Sequence, residues 1–134
     1  MAATRIERMP VRSGDDVVRV RQAVRTCAVE AGFGLVDQTK VVTAASELAR
    51  NTLDYGGGGE VRIELLQEGS RRGLRLTFED EGPGIPDVDL ALTDHYTTGN
   101  GLGLGLGGAK RLSNEFHIES TVGVGTRVTI ARWK

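Results

Sequence analysis

Apolar positions along the chain change their period several times, and each change marks an element. Thr4, Ile6 and, less regularly, Met9 and Val11 are spaced near two, which predicts an irregular first strand. Ser13-Gly14-Asp15-Asp16 then reads as a helix start, with Ser13 as cap and Asp16 three residues on. Val17, Val20, Val24, Cys27, Ala28 and Ala31 follow at helical spacing, and Gly32 is a stop signal. A second helix is predicted from about Asp37 to Leu53, with Val41, Ala44, Ala45, Leu48 and Thr52 in one stripe. Val61, Ile63 and Leu65 alternate with polar residues, as do Leu74, Leu76 and Phe78, so two strands are predicted with a hairpin loop at residues 68–72. Residues 87–98 are polar and irregular. A short third helix is predicted around residues 106–113, and residues 116–120 and 126–131 form a terminal hairpin through Val122-Gly123-Val124-Gly125. Helices and strands are partly segregated along the chain, which predicts an α+β two-layer sandwich in one domain, residues 1–134.

Composition removes several function classes. Seventeen basic and eighteen acidic residues leave a net charge of −1, which gives no footprint for nucleic acid or a membrane surface. An aromatic content of 4% argues against a base-stacking surface. One cysteine excludes an internal disulfide framework, and Cys27 falls on the apolar helix face, where core packing is expected. With no signal peptide and no apolar run of membrane-spanning length, a cytoplasmic domain is expected. Arg19, Arg21 and Arg25 fit a solvated face or a partner contact. His95 and His117 lie far apart without ligand partners, so zinc is not expected; Tyr96 and Trp133 fit edge packing or partner contact.

Glycine changes the picture. There are nineteen, bunched at 56–59, 82–84, 99–108 and 123–125. Glycine inside regular structure costs roughly 0.5–1 kcal/mol relative to alanine, so such clusters point to positive φ angles or close backbone approach. Gly123, Gly125 and part of 56–59 are read as tight turns.

Three segments could carry chemistry. Glu47 and Asn51 are four apart on the second helix and project from one face. A carboxylate there can orient or deprotonate a hydroxyl, and an amide oxygen one turn on can ligate Mg²⁺; the spacing alone favours an ordinary solvated pair. Asp80-Glu81-Gly82-Pro83-Gly84 follows an alternating strand. Asp80 could accept a hydrogen bond from an exocyclic amine such as that of adenine, while a surface turn is the bland reading. Gly99-Asn100-Gly101-Leu102-Gly103-Leu104-Gly105 leads toward a helix, so free amides and a helix N-terminus could hold phosphate oxygens, with donors from Thr97, Thr98 and Asn100. No Gly-Lys-Ser/Thr follows in a Walker A frame, and the dinucleotide fingerprint is not met.

In this order the three segments resemble the GHKL superfamily, the ATP-binding fold of gyrase B, Hsp90, histidine kinases and MutL. Within it, residues 43–51, residues 79–87 and residues 101–112 look like the RsbT-type serine/threonine switch kinases. Gly32-Phe33-Gly34, Val36-Asp37-Gln38, Gly125-Thr126 and Trp133 extend the likeness over nearly the whole chain. The family pattern has a proline near Gly107-Gly108, which this chain lacks.

The resemblance implies a Bergerat-type sandwich: a mixed, mostly antiparallel sheet of about five strands covered by three helices. It implies ATP and Mg²⁺, with Glu47 as the hydroxyl-orienting base and Asn51 as the Mg²⁺ ligand. Asp80 would bind the adenine amine, with Gly82, Gly84 and Ile85 shaping its pocket. Thr97 and Thr98 would join the amides of Gly101, Leu102, Gly103, Leu104 and Gly105 in a phosphate lid. The implied partners are a STAS-domain antagonist, RsbS- or RsbR-like, and an RsbU-like phosphatase. An RsbW-like anti-sigma kinase, a weakly catalytic nucleotide-dependent adaptor and an ATPase module of the gyrase or Hsp90 kind are the alternatives. The length leaves no room for the last one's transducer domain.

Overall fold

The structure, a computed structural model, describes residues 2–92 and 106–134. Its elements run β1 (Ala2–Val11), α1 (Gly14–Glu30), α2 (Leu35–Asp54), β2 (Gly59–Glu68), β3 (Arg71–Asp80), α3 (Val88–Ala91), α4 (Leu106–Arg111), β4 (Glu115–Thr121) and β5 (Gly125–Trp133). The five strands form one sheet in the order β1-β2-β3-β5-β4.

Every pairing in the sheet is antiparallel, where a mixed, mostly antiparallel sheet was expected. The connections explain this. Two consecutive helices between β1 and β2 send the chain out and back, so β2 returns opposite to β1. Tight turns join β2 to β3 and β4 to β5, and β5 then inserts between β3 and β4. The α+β two-layer sandwich is the one expected, with a fourth, short helix, α3, inside the stretch predicted to be irregular. Asp87 caps α3, its side chain accepting the N–H of Leu90 at 3.0 Å.

Side-chain caps satisfy free backbone N–H groups at the starts of α1 and α3, whereas α2 starts at Gly34 without one. Ser13 is extended, with φ −153° and ψ 165°, and its Oγ accepts the Asp16 N–H at 3.2 Å. Asp16 answers by accepting the N–H of Arg12 at 3.0 Å, a reciprocal arrangement that fixes the entry of the chain. The α1 stripe Val17, Val20, Val24, Cys27 and Ala28 and the α2 stripe Val41, Ala44, Ala45, Leu48 and Ala49 are buried against the sheet. They meet Val61, Ile63, Leu74, Leu76, Phe78, Val128 and Ile130, which share one face of β2, β3 and β5. Cys27 is 2% exposed and burial pushes its thiol pKa up, so it packs as a small apolar residue. Trp133 lies against Gly73 at the sheet end, donating from Nε1 to Glu115 at 2.7 Å, with the Arg71 guanidinium 4.2 Å above the ring. It is an edge-packing residue.

Candidate nucleotide site

The last turns of α2 and the end of β3 converge. Glu47 is exposed on α2, and among the described residues it has no hydrogen-bond or ion-pair partner. One turn on, Asn51 is 7% exposed, and its Oδ1 is buried with no hydrogen-bond partner among the described residues. A buried amide oxygen without a donor is costly, by about 1–3 kcal/mol, unless something fills its lone pairs. The chemistry of that oxygen suits an oxygen-seeking cation such as Mg²⁺.

Two contacts bring α2 to the Asp80 turn. The Tyr55 hydroxyl, at the C-cap of α2, donates to the Gly84 carbonyl at 2.7 Å. Gly56 abuts Asp80 so closely that a Cβ on it would stand 2.4 Å from the Asp80 Cγ. Gly82 is equally restricted, since a Cβ there would lie 2.7 Å from Gly56 Cα. Gly84 has φ 78°, the left-handed region, and sits against the Thr121 carbonyl. Two further bonds anchor the turn to the β4–β5 hairpin: Gly123 N–H to the Pro83 carbonyl at 2.8 Å and Ile85 N–H to Ser120 Oγ at 2.7 Å. Ile85 itself is 4% exposed and joins the core.

Asp80 is half-buried at the end of β3, and this burial raises its carboxyl pKa above the ordinary value. Hydrogen bonds from the backbones of Gly82 and Thr126 oppose the rise without cancelling it; the Gly82 bond is 2.9 Å long. The site therefore holds a carboxylate that is under-solvated and able to take another donor. A cleft of about 460 Å³ opens on one side of it, lined by Arg12, residues 56–59, Glu60, Glu79, Asp80 and Glu81.

Asn51, Asp80, Gly82, Gly84 and Ile85 are thus gathered around one junction, with Glu47 on the surface one turn ahead of Asn51. Thr97, Thr98, Gly101, Leu102, Gly103, Leu104 and Gly105 lie outside the described residues, as do His95 and Tyr96. Sequence reasoning gave no role to Tyr55, Gly56, Ser120 or Thr126. For Gly56 a signal existed in the four-glycine run, whose members divide their work. Gly57 and Gly58 take positive φ, and Gly56 and Gly59 make the close approaches. Among the described residues no group of three or more His, Cys, Asp or Glu side chains could hold a metal. His117 is exposed on β4, 3.0 Å from Glu119.

The family of histidine kinase-, DNA gyrase B- and HSP90-like ATPases matches residues 36–134. Serine/threonine-protein kinase RsbT of Bacillus subtilis (strain 168) is 46% identical over 118 residues, covering 88% of this chain and 89% of its own. The chain belongs to the RsbT family of serine/threonine-protein kinases. The anti-sigma F factor of Clostridium novyi (strain NT) is also similar to this RsbT-family chain, 34% identical over 101 residues, covering 70% of this chain and 69% of its own. Among solved structures, the RsbU and RsbW domains of Rv1364c from Mycobacterium tuberculosis align with a TM-score of 0.66 at 19% identity. They cover 98% of this chain and 33% of that one, so this chain spans about a third of that protein. The catalytic domain of histidine kinase ThkA aligns at a TM-score of 0.57 and 14% identity, covering 96% and 95%. These two likenesses concern the fold, which is that of the GHKL ATPases.

Proposed function

We propose that this chain is a partner-switching kinase. It transfers the γ-phosphate of ATP to a serine or threonine of a STAS-domain antagonist, RsbS- or RsbR-like, and on release activates an RsbU-like phosphatase. The observation that carries this reading is the buried Oδ1 of Asn51, without a hydrogen-bond partner among the described residues, on a helix whose end is tied to the Asp80 turn. It supplies one metal-seeking oxygen beside one amine-seeking carboxylate, the two polar ends an ATP·Mg²⁺ complex requires.

Charge orients the nucleotide in this reading. The cleft at Glu60, Glu79 and Glu81 holds three carboxylates besides Asp80 against Arg12, and it repels a polyphosphate. The phosphates accordingly lie on the other side of Asp80, toward α2, where Asn51 would hold Mg²⁺. When bound, the ion neutralises charge on the phosphate oxygens. Gly82, Gly84 and Ile85 shape the base pocket. From the sequence, Thr97, Thr98 and the amides of residues 101–105 complete the phosphate side.

Exposure of Glu47 suits a protein substrate. The attacking hydroxyl arrives on another chain, so its base must stand at the surface, one turn from the metal-seeking amide. Glu47 would orient that hydroxyl and take its proton as the phosphate is transferred. The phosphate adds about −1.5 to −2 charge to the interface, which weakens the complex and frees the kinase. The setting would be the cytoplasm; no helix among the described residues is long and apolar enough to cross a membrane.

A second reading has its own support in the similarity to anti-sigma F factors: an RsbW-like kinase that holds a sigma factor directly. That kinase would phosphorylate its own anti-anti-sigma factor, so incubation with radiolabelled ATP and STAS proteins encoded nearby tests for a kinase, and the identity of the labelled partner separates the two readings. Label on a STAS serine or threonine, absent with Glu47→Gln although that variant still binds ATP, supports the proposal. Full labelling by Glu47→Gln removes Glu47 from the chemistry, and a stable complex with a sigma factor favours the second reading.

A further inference from the structure

Three side chains form a row across the sheet beside the Gly82–Ile85 turn. Asp80 on β3 is the register partner of Thr126 on β5, and Thr126 is the register partner of Ser120 on β4. Cross-strand partners project to the same face, so the three stand side by side on the face that carries the helices. Thr126 is 5% exposed and Ser120 is partly buried, so both hydroxyls must find partners inside the protein.

Ser120 Oγ is the hub of the row. It accepts the Ile85 N–H at 2.7 Å, lies 2.8 Å from Thr126 Oγ1, and is 3.4 Å from the Gly125 carbonyl. A serine hydroxyl has one proton and two lone pairs. Ile85 occupies a lone pair, and the short contact to Thr126 is the better destination for the proton. With Ser120 donating to Thr126, the Thr126 hydroxyl keeps its own proton for a partner other than Ser120. One hydroxyl thereby holds both the turn beside Asp80 and the hydroxyl of Thr126, the register partner of Asp80.

We propose that Ser120 is a positioning residue for base recognition: it aligns Ile85 and the Thr126 hydroxyl so that Thr126 and Asp80 together read the amine-bearing edge of adenine. Ser120 need not touch the nucleotide. This inference rests on the base-binding role proposed for Asp80.

The test is equilibrium binding of ATP and ITP to the full chain, wild type against Ser120→Ala and Ser120→Thr. ITP carries an oxo group where adenine carries its amine, so it reports on that edge alone. A site built to hydrogen-bond an amine rejects its replacement, and the wild type is expected to prefer ATP by at least about tenfold. Ser120→Ala should lower that preference by about fivefold, and Ser120→Thr, which restores the hydroxyl, should hold it within about twofold of wild type. A serine that merely staples the turn would, on removal, weaken ATP and ITP alike and leave their ratio unchanged; that result overturns the inference. Should Ser120→Ala not fold, Ser120→Cys keeps the volume with a much weaker donor and acceptor and must lower the same ratio. Failure of the Asp80 reading looks different: the wild type itself would bind ATP and ITP equally, and the inference would fall with it.

Discussion

Asp80 works against the fold that holds it. Its carboxyl is withdrawn from water by the approach of Gly56 and the end of β3, and the backbone donors of Gly82 and Thr126 return only part of the lost solvation. An unfolded aspartate titrates near pH 3.9 or so, while the folded one keeps its proton to a higher pH. Between those values the folded state binds more protons, so this group's contribution to stability falls as pH rises and stays low above the folded value. Asp80→Asn should therefore melt higher than wild type at neutral pH, with the advantage fading below about pH 4, while its ATP affinity drops at least about tenfold. Thermal melts at several pH values, paired with nucleotide titration, check both halves. A variant less stable than wild type at pH 7 would show that burial does not govern this carboxyl. Gly56→Ala tests the same contact from the other side. Its Cβ, 2.4 Å from the Asp80 Cγ, has to displace the carboxylate or the end of α2. The expected outcome is a loss of about 1–3 kcal/mol in denaturant unfolding together with weakened ATP binding.

At the scale of elements, local rules carry far. Ser13 with Asp16 announces α1, and the structure closes the same bond; Ser13→Ala should cost about 1 kcal/mol in urea unfolding with nucleotide affinity unchanged. Alternation of Val61, Ile63 and Leu65 against Leu74, Leu76 and Phe78 gave β2 and β3, because one face of each is buried and the period has to be two. Helix α3 escaped this logic, since the four residues of Val88–Ala91 are too few to display a helical period. Sheet order escaped it as well. Nothing local to β5 says that it pairs with both β3 and β4, and that placement is what sets Thr126 between Asp80 and Ser120. The candidate site was legible to the same extent. Asn51 and Asp80 announce themselves by motif, whereas the Tyr55 bond to Gly84 and the Ser120 bond to Ile85 span 29 and 35 residues and leave no periodic trace. Edge strand β1 shows a further local device. Arg5, Glu7 and Arg8, Pro10, and a register shift between Ala3 and Arg5 blunt an edge that would otherwise recruit a foreign strand.

In the molecule as a whole the sheet buries one face under helices and closes the other with charge. Cross-strand partners on that second face include Glu64 with Arg75 and Glu79 with Arg127. Glu64 is the anchor: it is 4% exposed and takes two bonds from Arg75, at 2.9 and 2.7 Å, with Arg62 a third partner at 3.3 Å. The Arg75 hydrogen bonds hold its carboxyl below the usual glutamate range despite desolvation. A depressed carboxyl contributes stability above its unfolded pKa, about 4.3, and that contribution is lost as pH falls through the folded value. Glu64→Gln should thus cost about 1–3 kcal/mol at pH 7, with the deficit shrinking through the acid range and vanishing once both forms of the group are protonated. Urea unfolding of the two proteins at pH 7, 5, 4 and 3 measures it. A deficit that does not change with pH would mean that packing, and not the ion pair, is what glutamine disturbs. Because Glu64 points away from the helices, ATP affinity at pH 7 should be the same in both proteins. The pair then supplies the counterpart to Asp80: buried Glu64 supports the sheet at neutral pH, and half-buried Asp80 gives up stability there, in the proposed reading for a place at the nucleotide.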